Sequence, residues 1–231
     1  MTHKWGAPLV ATATGIATFA ILIAFGLLPE VKAAYPHGDF SAALGAFQRA
    51  NTMDELYRLF GNPPDAGKLA AMTAGNTLDL YGFIPVYTIF LLSSALTLGE
   101  ARGLAWFALI AALVGCAGDL LETISQLGVS TDWAHASAIL PRVSPGCWTK
   151  FFGLAVHALG CSALCFTGPH KRWILGALGL TPIVATSADF LHFASAATAM
   201  TLVFGLFWLG LLIVACGKLV AAMRTASAQP G

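Results

Sequence analysis

Charge is scarce in this chain. Asp, Glu, Lys and Arg together make up 10% of its 231 residues, against roughly 25% in a soluble domain. With 57% of residues hydrophobic and a mean hydropathy of +0.75, there is too little polar surface to face water. The expected solvent is lipid. The formal net charge is +1, with no basic tail or stripe, which argues against nucleic acid as a partner. No CxxC pair occurs, and the five cysteines (Cys116, Cys147, Cys161, Cys165, Cys216) lie mostly in apolar stretches. There a thiol behaves as a small hydrophobe, and an odd count leaves at least one outside any intrachain disulfide framework. HExxH, GxSxG and Walker A motifs are missing, as are the histidine patterns of haem-binding bundles and membrane desaturases. Ser93-Ser94 and Ser125 lack an evident His/Asp arrangement, so a serine hydrolase has little support. No internal repeat is evident, which weakens a transporter built on inverted repeats.

Long apolar runs are what the chain does have. A bilayer core of about 30 Å needs about 20 apolar residues per helix. Runs over 8–28, 77–98, 103–127, 148–166, 173–193 and 197–219 meet that need. The first ends at Pro29-Glu30, and Val31-Lys32-Ala33 resembles a signal-peptidase site. The run is longer than a usual signal core, so a retained helix is expected over a cleaved signal. Pro85 and Pro182 lie inside spans, where a proline removes one backbone bond and kinks the helix. Gly99-Glu100-Ala101-Arg102 predicts a tight turn, 128–147 a loop, and Gly168 to Arg172 another turn. Residues 173–219 as one helix would run about 70 Å at about 1.5 Å per residue, so a break is required near 193–197.

Between the first two spans, residues 30–72 hold much of the charge. Leu44 and Phe47 fit one helical face over 40–47; Met53, Leu56, Tyr57 and Phe60 fit another over 53–60. Thr52 is a plausible N-cap, with Glu55 three positions on as a capping box. Gly61-Asn62-Pro63-Pro64 stops the helix. The expected fold is therefore all-α: one membrane domain over 1–231, a bundle of about six transmembrane helices, with a short amphipathic helical segment between spans one and two. Basic residues in short loops (Lys4, Arg102, Lys171, Arg172, Lys218 and Arg224 on one side) predict both termini in the cytoplasm and segment 30–72 outside. In a bacterium the membrane would be the inner one.

Acidic side chains are costly in hydrocarbon, so those inside spans mark the candidate site. Asp119, Glu122 and Gln126 share a helical face, as do Asn76, Asp79 and Phe83, with Tyr87 continuing the stripe. Lys150 and His157 share a third face, and Asp189 and His192 are three apart. The predicted topology brings Asn76, Asp79, Tyr87, Asp119, Glu122, Lys150, His157, Asp189 and His192 toward the outer third of the bundle. Each also has a plainer reading. In it the acid pair marks only the water interface, and Lys150 either snorkels or forms a structural ion pair with Asp119, Glu122 or Asp79. His157 is a packing histidine or a metal ligand, with Cys161 and Cys165 on its face. Asp189-His192 is an oriented histidine or an interfacial capping pair. A metal ion, with Asp119, Glu122 and His157 as candidate ligands, is not favoured.

Several of these residues fall into a pattern. Ala46-Phe47-Gln48-Arg49-Ala50 precedes Asn76-Thr77-Leu78-Asp79, which is followed by Pro85 and Tyr87. Asp119-Leu120-Leu121-Glu122-Thr123 and Thr149-Lys150 come next. Across about 44–155 the chain resembles a group of polytopic helical membrane proteins with Asn-x-x-Asp, Asp-x-x-Glu-Asn and Thr-Lys spans, whose activity is not established. Thr123 stands where the pattern has Asn. The resemblance implies a helical membrane bundle and the same polar residues, and no activity.

Two functions fit these residues. One is a polar site open to the outer face that binds or transports an ion, a proton or a small polar or lipid headgroup. The other is a membrane-embedded enzyme acting on a lipid or isoprenoid, using carboxylates with Lys150 and His157 for acid–base chemistry or to hold a metal. A third reading is an accessory subunit, whose polar residues only join helices. The partners expected are the lipid bilayer, a small ligand or lipid, and a protein partner or a second copy of the chain.

Overall fold

The computed structural model describes residues 6–99, 101–168, 172–193 and 196–227. Every regular element among the described residues is helical. In chain order these are α1 (Gly6–Phe25), α2 (Pro29–Ala34), α3 (Phe40–Arg49), α4 (Met53–Phe60), α5 (Ala66–Leu78), a π turn (Asp79–Phe83), α6 (Ile84–Leu98) and α7 (Arg102–Thr131). Then follow two 3₁₀ turns flanking α8 (Ala136–Ile139), and α9 (Val143–Thr167), α10 (Trp173–Phe190) and α11 (Ala196–Ser227). Six stretches are long and apolar enough to cross a membrane: Gly6–Ala34, Ala66–Leu98, Arg102–Thr131, Trp133–Thr167, Trp173–Phe190 and Ala196–Ala226. The fold is an all-α bundle of a polytopic, integral membrane type.

The helices outrun the apolar runs. Residues 128–147, expected as a loop, are helical nearly throughout: α7 continues to Thr131 and α9 begins at Val143. Pro145 falls in the first turn of α9, where its missing N–H costs no helical bond. Pro85 sits just after the π turn, in which the Ile84 N–H reaches back five residues to the Asp79 carbonyl. The wider turn puts one extra residue into the helix just before the proline. The expected break near 193–197 falls between α10 and α11; residues 194 and 195, like Lys4, Glu100 and Lys171, lie outside the described residues.

The chain divides into two compact units. The first comprises the described parts of 1–18, 86–114 and 152–231. Its helices meet at small residues: Gly15 lies against Phe90 and Leu212, Gly160 against Ala108, and Gly179 against Ser162 and Phe207. Ser162 donates to the Gly176 carbonyl at 2.7 Å. At the C-terminal end of α6, Arg172 donates to the Leu98 carbonyl and Lys218 to that of Thr97. Two cations thus meet carbonyls that have no intrahelical partner.

The second unit comprises 19–85 and 115–151. The amphipathic segment forms α3 and α4 as its spacing predicts. Phe47, Leu56 and Phe60 enter a buried cluster with Met72, Val129, Leu140 and Val143. The Phe47 and Phe60 rings meet edge to face with centroids 5.1 Å apart. Thr52 and Glu55 form the capping box: Thr52 Oγ1 accepts from the Glu55 N–H, and Glu55 accepts from the Thr52 N–H at 3.0 Å. The Asn51 N–H above all, and that of Thr52, hold the Glu55 carboxyl below its ordinary value. Its contribution to α4 is thus complete at neutral pH and is lost as pH falls through the depressed folded-state value. Thr52→Ala should cost about 1 kcal/mol, and amide exchange should show α4 fraying in this variant, as in wild type at acid pH.

Candidate binding site

The polar site is built where α7 and α9 touch backbone to backbone. Both helices carry a glycine at the contact. A Cβ on Gly118 would overlap the Lys150 backbone nitrogen, and one on Gly146 would stand 2.6 Å from the backbone nitrogen of Glu122. The pairing of 118 with 149–150 and 122 with 146 runs the two helices antiparallel. Small residues are the usual means of close approach in lipid, where no hydrophobic force drives helices together. The consequence is local: with main chains this close, Lys150 faces Asp119 and Glu122 directly.

Lys150 Nζ lies 3.1 Å from Asp119 Oδ1 and 2.7 Å from Glu122 Oε2. It also stands 4.9 Å from the centroid of the Phe151 ring. All three charged residues are buried, at 3% exposure for Asp119, 1% for Glu122 and 7% for Lys150. The other Glu122 oxygen, Oε1, accepts from Gln126 Nε2 at 3.3 Å, and the side chain of Gln48 of α3 lies close to Glu122. Next to Gln48, Arg49 holds the Gly45 carbonyl at 2.7 Å and lies over the Trp148 ring. The amphipathic segment therefore reaches the site, anchored by the fully buried Phe47.

Asp79 comes from the other side. It opens the π turn, is only half-buried, and accepts a 2.7 Å hydrogen bond from Thr123 Oγ1. It lies within electrostatic reach of Asp119, Lys150 and Glu122. One turn and a half earlier on the same face, Thr73 donates to Ser130 at 3.0 Å. These two contacts bracket Asn76 and set it level with Gln126. Asn76 is 3% exposed, and its Nδ2 has no hydrogen-bond partner among the described residues.

Five of the nine candidates, Asn76, Asp79, Asp119, Glu122 and Lys150, thus belong to the second unit. The other four belong to the first. Tyr87 is fully buried and stacks on Trp208 with centroids 5.4 Å apart. His157 is fully buried. Its Nδ1 lies 2.9 Å from the Ala108 carbonyl and its Nε2 3.5 Å from Cys161 Sγ. A carbonyl can only accept, so Nδ1 donates and Nε2 is left to accept. Asp189 is buried near the end of α10. His192 is exposed with φ of 61°. The His192 N–H bonds the Asp189 carbonyl and the Phe193 N–H the Ala188 carbonyl, which makes His192 the left-handed residue of a Schellman cap.

Thr123, Gln126, Gln48, Gly118 and Gly146 complete the site without having been singled out as ligands. Gln126 was visible on the acid face and Gln48 within the Ala46–Ala50 pattern. The two glycines had only their proximity to Asp119 and Lys150 to mark them. Among the described residues no group of three or more His, Cys, Asp or Glu side chains could hold a metal ion. Compared with family models, curated proteins and solved structures, the chain matches none.

Proposed function

We propose that this polytopic membrane protein binds an ion or small polar ligand at the Asp79–Asp119–Glu122–Lys150 cluster and moves it into or across the membrane. One observation carries this reading: three carboxylates gather round one buried ammonium inside helices built for lipid. A structural ion pair needs one acid for one base, and any further buried acid raises the cost unless something balances it. In this reading both termini lie in the cytoplasm, from the basic residues of the short loops. The enzyme alternative drew on His157, whose two ring nitrogens are taken by Ala108 and Cys161.

The test is ligand-dependent thermal stability of the purified protein in nanodiscs. The panel is sodium, potassium, calcium, phosphoethanolamine and phosphocholine, together with a change of pH across the neutral range. At least one should shift Tm in wild type. The shift should vanish in Asp79→Asn/Asp119→Asn/Glu122→Gln/Lys150→Met, a variant that removes the cluster's charges together and so leaves none of the four unbalanced. No shift under any of these conditions, or a shift that survives in the quadruple variant, would sink the proposal.

A further inference from the structure

We infer that the exchangeable species is a monovalent cation and that it docks at Asp79, with Thr123 and Asn76 as its other contacts. This deepens the binding-site reading and rests on it. Asp119 and Glu122 are committed to Lys150 at 3.1 and 2.7 Å. Asp79 makes no ion pair among the described residues; its hydrogen-bond partner is a neutral hydroxyl, Thr123 Oγ1. It is also the least buried of the three acids. A cation at Asp79 need not displace Lys150.

The charge count sets the sign. On α7 stand Asp119 and Glu122 and on α9 Lys150 and the thiol of Cys147, while Arg49 of α3 lies over the Trp148 ring. With Asp79, three acids face the one ammonium of Lys150, an excess of negative charge. A divalent ion demands several carboxylates of its own, and two of those present are held by Lys150. A phosphate headgroup would need an ammonium to spare, yet Lys150 is already outnumbered by the acids.

Asn76 supplies the second, independent sign of a ligand. Its side chain is buried between Thr73–Ser130 and Asp79–Thr123 on the face of α5 turned to α7, and its Nδ2 is without a partner. Buried amides are nearly always satisfied. Turned one way this amide offers Oδ1 to a cation; turned the other, Nδ2 donates to water that the cation carries. Carboxylate, hydroxyl and amide oxygens are hard donors suited to an alkali ion, and they suit hydronium equally. Sodium or potassium and the proton share this chemistry, and the experiment separates them.

The experiment compares Tm in sodium, potassium and choline chloride at equal ionic strength, and across the neutral pH range in choline. The variants are Asp79→Asn, Thr123→Val and the Asp119/Glu122/Lys150 triple. Wild type should be stabilised by sodium or potassium over choline, or by a change of pH in choline alone; the first result names an alkali ion and the second a proton. Asp79→Asn should lose that response while folding with the ion pair intact. Thr123→Val should shift its midpoint by about tenfold, the equivalent of one lost hydrogen bond to a charged group. Should Asp79→Asn fold poorly, Asp79→Glu keeps the charge and should retain the response with an altered midpoint. A response undiminished in Asp79→Asn but lost in the triple variant overturns the assignment to Asp79 and leaves the binding-site reading standing. A response undiminished in both overturns both.

Discussion

Replacing Lys150 with methionine is expected to be the most damaging single change in the protein. It leaves Asp119 and Glu122, both under 4% exposed, without the ammonium that lies 3.1 and 2.7 Å away. Removing one partner of a buried pair costs about 3–5 kcal/mol, because the stranded charge stays out of water. Two acids are stranded here, and each repels the other. The variant should show a sharply lowered Tm and poor recovery from detergent. Adding Asp119→Asn and Glu122→Gln to it should restore most of the loss, since a neutral cluster incurs no ionic desolvation. This reversal distinguishes charge balance from packing: if the triple variant were as unstable as Lys150→Met, the shape of the lysine and not its charge would be what matters.

The second large effect is expected at Gly146. A Cβ there would stand 2.6 Å from the Glu122 nitrogen and 2.9 Å from its Cα, and backbone cannot rotate away as a side chain can. Gly146→Ala must push α9 off α7, and overpacking of this kind costs about 1–3 kcal/mol. Gly146→Leu should exceed that range. A control lies at Gly205, where nothing stands within 4 Å of an added Cβ; Gly205→Ala should change Tm little. Thermal denaturation of the three variants in one detergent checks the ranking. Equal Tm for Gly146→Ala and Gly205→Ala would show that the α7–α9 contact yields without cost.

Hydropathy made the six spans legible, because the lipid requirement is written in nearly every residue of a run. Their ends were less so. Gly128 to Thr131 and Val143 to Cys147 continue the helices with mostly polar or small residues, which carry little apolar signal, and Pro145 in a first turn looks like a loop proline until the helix start is known. The Asp119–Glu122–Lys150 association could be anticipated, since charges in apolar runs must find partners and i, i+3 spacing aligns the acids. The π turn at Asp79–Phe83, by contrast, breaks the regular 3.6-residue period without a signal in the sequence. A local change of hydrogen-bond register leaves no mark in composition. His157 illustrates the opposite limit. Cys161 shares its helical face and was legible as a neighbour, whereas the backbone carbonyl of Ala108, which takes its Nδ1, leaves no sequence signal.

The glycine contact between α7 and α9 has a consequence for how this site can vary. In most ion pairs the separation of charges is negotiated by flexible side chains, so lysine and arginine, or aspartate and glutamate, exchange with modest effect. Here the main chains are in touch at Gly118 and Gly146, so the gap is machined into the backbone, as two dowels fix the faces of a joint. An arginine at 150 or a glutamate at 119 would arrive with a longer arm and nowhere to extend it. The tolerance of the site is therefore set by two residues that carry no charge, and substitutions that preserve sign will not preserve fit.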